Sequence, residues 1–191
     1  MADVAKLAGV SLGTVSHVLS NRTPVRQETR ERVETAMAQL GYRPNRVAQA
    51  LRRQRTHVVG MIVPDVANPF FSELLLGVES RLEPAGYAVV FGNSRESGST
   101  QQRYVDRFLE RQVDGLIVAM AGDTDPFDLQ SLERRTPTVL VDRTVAGWSG
   151  DQVVGDDKRG MELAVQHLRQ AGHTKVALIN GDKVLSTARR R

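Results

Sequence analysis

Between Asp3 and Asn21, in DVAKLAGVSLGTVSHVLSN, the apolar positions fall into two short helical runs separated by a three-residue turn. Ala5, Leu7 and Ala8 are predicted to pack inward from the first run. Gly9 is expected to take the left-handed backbone that ends it, and Ser11 to cap the next. Val15, Val18 and Leu19 recur at helical spacing, which leaves Leu12, Gly13, Ser16 and His17 on the opposite face. Two helices joined this way form either an ordinary helical hairpin or a helix-turn-helix, whose second helix lies in the major groove of DNA. These residues by themselves leave both readings open.

A third helical pattern runs from about Gln27 to Leu40, with Val33, Ala36, Met37 and Leu40 on one face and Gly41 as its stop. Glu28, Glu31, Arg32 and Thr35 are predicted to point to solvent. Leu7, Val10, Val15, Leu19, Val33, Met37 and Leu40 would then form a small core, about the minimum for a folded headpiece over residues 1–44. In residues 45–57, Pro44 ends what precedes, Asn45 can cap, and Arg46–Arg53 contains helix formers. The large apolar residues of that run are Val47 and Leu51, four apart on one side of a helix too short to stand alone in water. It is either a helix that needs a partner to hold it or a plain basic linker.

From His57 onward the pattern changes. VVGMIVPD, YAVVFGNS, GLIVAM and PTVLVDR read as strands. They alternate with helices over NPFFSELLLGVESRLEPAG, over Ser99–Gln112 with Tyr104, Phe108 and Leu109 inward, and over Pro126–Arg135. Strands alternating with helices of this length predict a doubly wound α/β domain: a parallel sheet covered on both faces. In such sheets ligands bind beyond the carboxyl ends of the strands, which points to PDVANPFF, GNSRES, AMAGDTD and DRTVAG. Residues 58–154 are read as one subdomain. Residues 155–191 start a second, incomplete one, with a strand, a helix over about Arg159–Gln170, a strand over Lys175–Ile179, and Ser186 as the N-cap of a further helix.

Composition sharpens this picture in two places. The chain has 191 residues and a net charge of +4, but residues 1–57 carry ten Lys or Arg against four Asp or Glu, and the remainder sixteen against eighteen. The positive charge therefore accompanies the helical segment, as binding to a polyanion requires, although a solvated basic face has the same composition. There is no cysteine, which excludes disulfides and thiolate metal sites and fits a reducing compartment. No stretch reads as a signal segment or a membrane span, so a cytoplasmic, nucleoid-associated protein with no membrane partner is expected. Walker-type, HExxH and GxSxG motifs are absent, and His17, His57, His167 and His173 lack ligand or base spacing. No enzyme activity, metal or cofactor is expected.

Taken together, DVAKLAGVSLGTVSHVLSN, TRERVETAMAQLGYRPNRVAQAL, VVGMIVPDVANPFFSELLLGVE, DGLIVA, PTVLVDR and GMELAVQHLRQAGHTKVALING resemble, in order, the LacI/GalR family of bacterial transcription regulators. The resemblance implies a dimeric repressor that binds a palindromic operator in double-stranded DNA under the control of a small-molecule effector. It assigns Leu12, Gly13 and His17 to base reading, and Thr14, Ser16 and Asn21 to phosphates or the helix start. Asn45–Arg53, including Val47 and Ala48, becomes a hinge helix that folds on DNA, with Leu51 wedged in the minor groove. It implies a periplasmic-sugar-binding-protein-like effector domain, with Asn68, Phe70, Phe71, Asp142, Thr187 and Arg191 lining a pocket for a sugar or purine-like ligand. From the residues alone, Phe70 and Phe71 equally read as packing a helix start, and Asp142 as capping a loop.

Three departures from the family pattern bear on these expectations. His17 stands where many members have arginine, which removes a guanidinium contact to guanine. Met1 and Ala2 replace residues that often include a capping threonine. Family members also continue beyond Arg191, so the pocket and much of the dimer surface are expected to be incomplete. A regulator fragment that binds DNA without sensing an effector is thus the competing expectation, and a sugar-binding protein with no DNA role a more remote one.

Overall fold

The structure, a computed structural model, describes residues 1–20, 24–42, 55–122, 132 and 134–191. It divides into two compact units, Met1–Arg52 and Arg53–Arg191. Asn21, the expected hinge-helix residues Asn45, Val47, Ala48 and Leu51, and most of the expected helix Pro126–Arg135 lie outside the described residues.

In the first unit, α1 (Ala2–Ala8), α2 (Leu12–Ser20) and α3 (Gln27–Gln39) pack around Val4, Ala5, Ala8, Val15, Val18, Val33 and Ala36. Gly9 ends α1 with φ 63° and ψ 41°, a conformation that costs a residue bearing a Cβ but not glycine. Ser11 Oγ then accepts a hydrogen bond from the Thr14 N–H at 3.1 Å, fixing the start of α2 as expected. Two core assignments need correcting. Leu7 is 51% exposed and Leu40 is 47% exposed. The inward stripe of α1 runs through Val4, Ala5 and Ala8, whose small side chains let α3 approach closely. Leu40 follows the last helical residue, where helical spacing no longer aims a side chain inward, and Tyr42 packs against the core in its place. Arg32 also departs from its expected solvent direction: its guanidinium donates to the carbonyls of Ala8 and Gly9, closing the exposed end of α1.

The second unit is a five-stranded parallel sheet in the order β2-β1-β3-β4-β5. Its strands are β1 (Val58–Val63), β2 (Ala88–Asn93), β3 (Gly115–Val118), β4 (Thr138–Val141) and β5 (Gln152–Val153). Two layers cover it. Met61 and Val63 of β1 pack with Phe71 of α4 (Pro69–Leu82), whereas Ile62 packs on the other face with Val105 and Phe108 of α5 (Gly98–Glu110). This alternation along a strand buried on both faces is the doubly wound pattern expected from the sequence. Gly60 is required by close packing, because a Cβ there would lie 2.6 Å from both Leu116 and Phe108.

The part after β5 corrects two further expectations. α6 (Asp157–Gln170) forms, but Lys175–Ile179 joins no sheet, and Ile179 is 99% exposed. A strand needs a neighbouring ladder to satisfy its backbone, and among the described residues none runs beside this segment. α7 (Ser186–Arg190) starts after Leu185, so Ser186 is its first residue and not its cap. The Ser186 hydroxyl oxygen instead accepts a hydrogen bond from the Thr144 N–H at 3.0 Å.

Candidate functional site

The headpiece presents one outward face of α2. Val15 and Val18 are buried beneath it, Leu12, Gly13 and His17 are exposed, and Thr14 and Ser16 are partly exposed. Leu12, a large apolar residue, is 54% exposed at the start of the helix, where a recognition helix meets base edges. The Ser11 hydroxyl binds both the N–H and the hydroxyl of Thr14, so Thr14 is already held in place at the helix start. The five described residues assigned to DNA thus share one surface.

The second site lies along the carboxyl edge of the sheet. Asn68 caps α4 through a hydrogen bond from the Phe70 N–H at 3.1 Å. Phe70 is 51% exposed and meets Phe71 edge-on, with ring centroids 5.1 Å apart. Phe71 is 4% exposed and belongs to the core beneath the sheet, so of the expected aromatic pair only Phe70 presents a ring to solvent. Asp142, just past β4, has φ 66°, a strained conformation for a side-chain-bearing residue that clusters at functional positions.

Around Asp142 the structure gathers charges that the sequence left scattered. Asp157, at the start of α6, accepts from Arg190 (3.1 Å) and Arg191 (2.8 Å), while Arg190 also donates to the Asp142 carbonyl at 3.1 Å. Thr187, four residues before Arg191, is buried. Burial is the main influence on the Asp142 carboxyl and raises its pKa. Arg143 opposes that shift, Asp157 adds to it, and Arg191 and Arg190 also oppose it; the net direction is upward. Among the described residues the buried Nε of Arg190 has no hydrogen-bond partner, and that of Arg143 has only the longer ion-pair approach to Asp142 Oδ2 at 3.7 Å. A buried donor without a hydrogen bond costs about 1–3 kcal/mol, so each marks a place where an acceptor would be gained. Asp157 and Arg190 were missed from the sequence. Asp157 is the second acid of a DD pair opening a helix, and Arg190 one of three consecutive arginines, a pattern that marks the region but not the residue.

A brace spans this edge. Arg143, 5% exposed, holds both oxygens of Glu96 at 2.7 Å and donates to the carbonyls of Met120 and Ala121. It therefore ties the ends of β2, β3 and β4 together. The apolar groove of about 870 Å³ between α6 and residues 176–178 touches Arg190 and Arg191 but none of Asn68, Phe70 or Asp142. Its apolar lining reads as an uncovered core face, not as a polar ligand site. Among the described residues no His, Cys, Asp and Glu group could hold a metal, and no helix is long and apolar enough to cross a membrane.

A three-helix headpiece with an exposed helix face, followed by a parallel α/β unit with charged side chains gathered at its strand ends, is the architecture of a class of helix-turn-helix regulatory proteins. Within that class the chain belongs to the LacI family of bacterial regulatory proteins. Residues 1–45 match "Bacterial regulatory proteins, lacI family", and residues 56–191 match "Periplasmic binding proteins and sugar binding domain of LacI family". It is 38% identical over 99% of its length to the ribose operon repressor of Bacillus subtilis (strain 168), covering 56% of that protein. It is 36% identical over 99% of its length to the HTH-type transcriptional repressor PurR of Aliivibrio salmonicida (strain LFI1238), covering 57% of it. Among solved structures, the lac repressor dimer bound to operator and the anti-inducer ONPF superposes with a TM-score of 0.81 at 32% identity, over 99% of this chain and 58% of that one. The chain thus spans a little over half the length of these relatives.

Proposed function

We propose that this chain is a sequence-selective, DNA-binding transcriptional repressor that holds a palindromic operator as a homodimer and responds to a small-molecule effector. The observation that carries the reading is the α2 face, where Leu12, Gly13 and His17 stand exposed over a buried floor of Val15 and Val18. Leu12 stands 54% exposed at the start of that face, where a major groove would offer it thymine methyl groups. His17 supplies a donor or an acceptor according to its tautomer, and Thr14, Ser16 and Asn21 serve phosphates or the helix start. Asn45, Val47, Ala48 and Leu51 extend the contact into the minor groove when the two subunits meet on DNA. Such a protein works in the cytoplasm, on the nucleoid.

The effector reading rests on the charge balance around Asp142. Asp142 and Asp157 face Arg190 and Arg191, so carboxylates and guanidiniums are matched. A neutral, hydroxyl-rich molecule gains hydrogen bonds there without leaving a net charge uncompensated, and exposed Phe70 offers a flat apolar face to stack on. A sugar fits this chemistry better than an anion, with Asn68, Asp142, Thr187 and Arg191 as its polar contacts. Two of the similar proteins carry a sugar in their names, a ribose operon repressor and a transcriptional regulator CelR–cellobiose complex, whereas a third is named PurR.

Selection from a randomised duplex library by the purified chain tests the DNA reading. A palindromic consensus is the expected product, and recovery of unenriched sequence overturns it. A second reading, DNA binding without effector response, is favoured by the exposed apolar side chains of Leu163, Leu178 and Ile179 in residues 155–191. A melt raised by a pentose or hexose excludes it; an unmoved melt across a sugar panel supports it.

A further inference from the structure

At the edge of the sheet opposite Asp142, one carboxylate holds the point where the chain enters the α/β unit. Asp114, in the loop before β3, accepts the Thr56 N–H at 2.7 Å on Oδ1 and the His57 N–H at 3.0 Å on Oδ2. Thr56 Oγ1 lies 2.9 Å from both Asp114 Oδ1 and the Gln112 carbonyl, so its single proton is shared between them. The adjoining backbone is held from both sides. The Ala88 N–H donates to the His57 carbonyl at 2.9 Å, the Asp114 N–H donates to the Val58 carbonyl at 2.8 Å, and the His57 and Tyr87 rings sit 5.1 Å apart.

Backbone strain accompanies this clamp. His57 has φ 55°, in the left-handed region that side-chain-bearing residues avoid, while Gln112 shares that value as the residue that ends α5, its N–H bonded to the Leu109 carbonyl. Such a conformation persists only where its surroundings over-determine it. A β-strand could begin at Val58 without any of this, because the β1–β2 and β1–β3 ladders already specify its register. The carboxylate instead fixes the two residues before the ladders begin. β1 and β3, which start at this clamp, run to the opposite edge and end at Val63 and Val118, where Ser94 meets the Val63 carbonyl and Arg143 meets the Ala121 carbonyl just beyond β3.

We propose that Asp114 is a positioning residue for DNA binding: it fixes the direction in which the basic segment ending at Arg55 leaves the α/β unit. The inference rests on the DNA-binding reading above. Releasing the clamp would add Arg55, Thr56 and His57 to the connection, about 10 Å of extended chain. Three residues added to a connection of about a dozen would by length alone change effective concentration by less than about twofold. A larger loss of operator preference therefore reports lost direction and not added length.

The test uses the full chain, wild type against Asp114→Asn and Asp114→Ala, with the duplex enriched by the wild type and a mixed-sequence duplex as probes. Asp114→Asn keeps one acceptor and places an NH2 against a backbone donor; Asp114→Ala removes both acceptors. In both variants preference for the enriched duplex should fall at least about fivefold, beyond the tether limit, with affinity for mixed-sequence duplex unchanged. Amide exchange at Thr56 and His57 should speed up about tenfold or more while Met61 and Ile62 stay protected, which separates positioning from unfolding. Preference retained in the variants, or lost only together with protection of Met61 and Ile62, overturns the proposal. A wild-type chain without any preference overturns the repressor reading first and this proposal with it.

Discussion

Arg143 and Glu96, forty-seven positions apart in sequence, meet in a two-pronged ion pair with both N–O distances at 2.7 Å. The arginine is buried and the glutamate is nearly half exposed. The burden of breaking the pair therefore falls on the arginine side. Arg143→Ala would strip donors from the Met120 and Ala121 carbonyls and open a void, lowering unfolding free energy by about 2–4 kcal/mol. Glu96→Ala leaves the guanidinium two carbonyl partners and should cost less, about 1–2 kcal/mol. Urea denaturation of both variants checks the order, and equal costs would mean that the brace is not where the energy lies.

Asp142 carries a pH prediction. Because burial raises its pKa above the usual carboxylate value, folding stability is penalised where Asp142 is charged and regained as pH falls through its raised folded pKa. Asp142→Asn, which tolerates φ 66°, should therefore leave the melting temperature at neutral pH equal to or above that of the wild type. The same variant should remove any sugar-dependent rise in melting temperature. A large fall in the ligand-free melt would show that the carboxylate is structural.

Asp114 behaves in the opposite sense. Burial pushes its pKa up, but the hydrogen bonds from Thr56 and His57, with the His57 charge, outweigh burial and leave it below the usual carboxylate value. Its contribution is thus complete above the unfolded-state value and is lost as pH falls through the lowered folded one. Exchange at the Thr56 and His57 amides, corrected for the intrinsic pH dependence, should stay slow from neutral pH down to the ordinary carboxylate range and quicken only below it. Quickening well above that range would mean that the carboxylate is not what holds these amides.

Gly60 tests the sheet packing. Gly60→Ala places a Cβ 2.6 Å from Leu116 and Phe108, both buried, and should cost about 1–3 kcal/mol. In the headpiece, Ser11→Ala removes the acceptor for the Thr14 N–H and should cost about 1 kcal/mol. Calorimetry on the two variants should perturb different transitions if the two units melt independently.

Local chemistry was legible from the sequence and distant pairing was not. Gly9 and Ser11 declare their roles because left-handed backbone and helix capping are properties of one residue and its near neighbours. The strands β1 to β4 are legible because their apolar runs are bounded by turn residues. Leu7 misleads because a seven-residue helix accommodates a stripe through positions 4, 5 and 8 as readily as one through 5, 7 and 8. Lys175–Ile179 misleads for a different reason: its apolar alternation is local, but a strand exists only beside a partner. Nothing near Arg143 announces Glu96, and nothing near Asp114 announces Thr56, because the fold creates both pairings. Asp142 and Arg191 became visible through family resemblance, and the structure then supplied Asp157 and Arg190 between them.

The measurement closest to the central claim is the affinity of the purified chain for its enriched palindromic duplex and for a scrambled duplex, each at two salt concentrations. A repressor reading bases through α2 should lose affinity for both duplexes as salt rises, since phosphate contacts are shared. It should hold the palindrome tighter at each salt by on the order of a thousandfold. Equal affinity for the two duplexes at both salts would contradict sequence-selective binding and leave the headpiece as a basic helical surface.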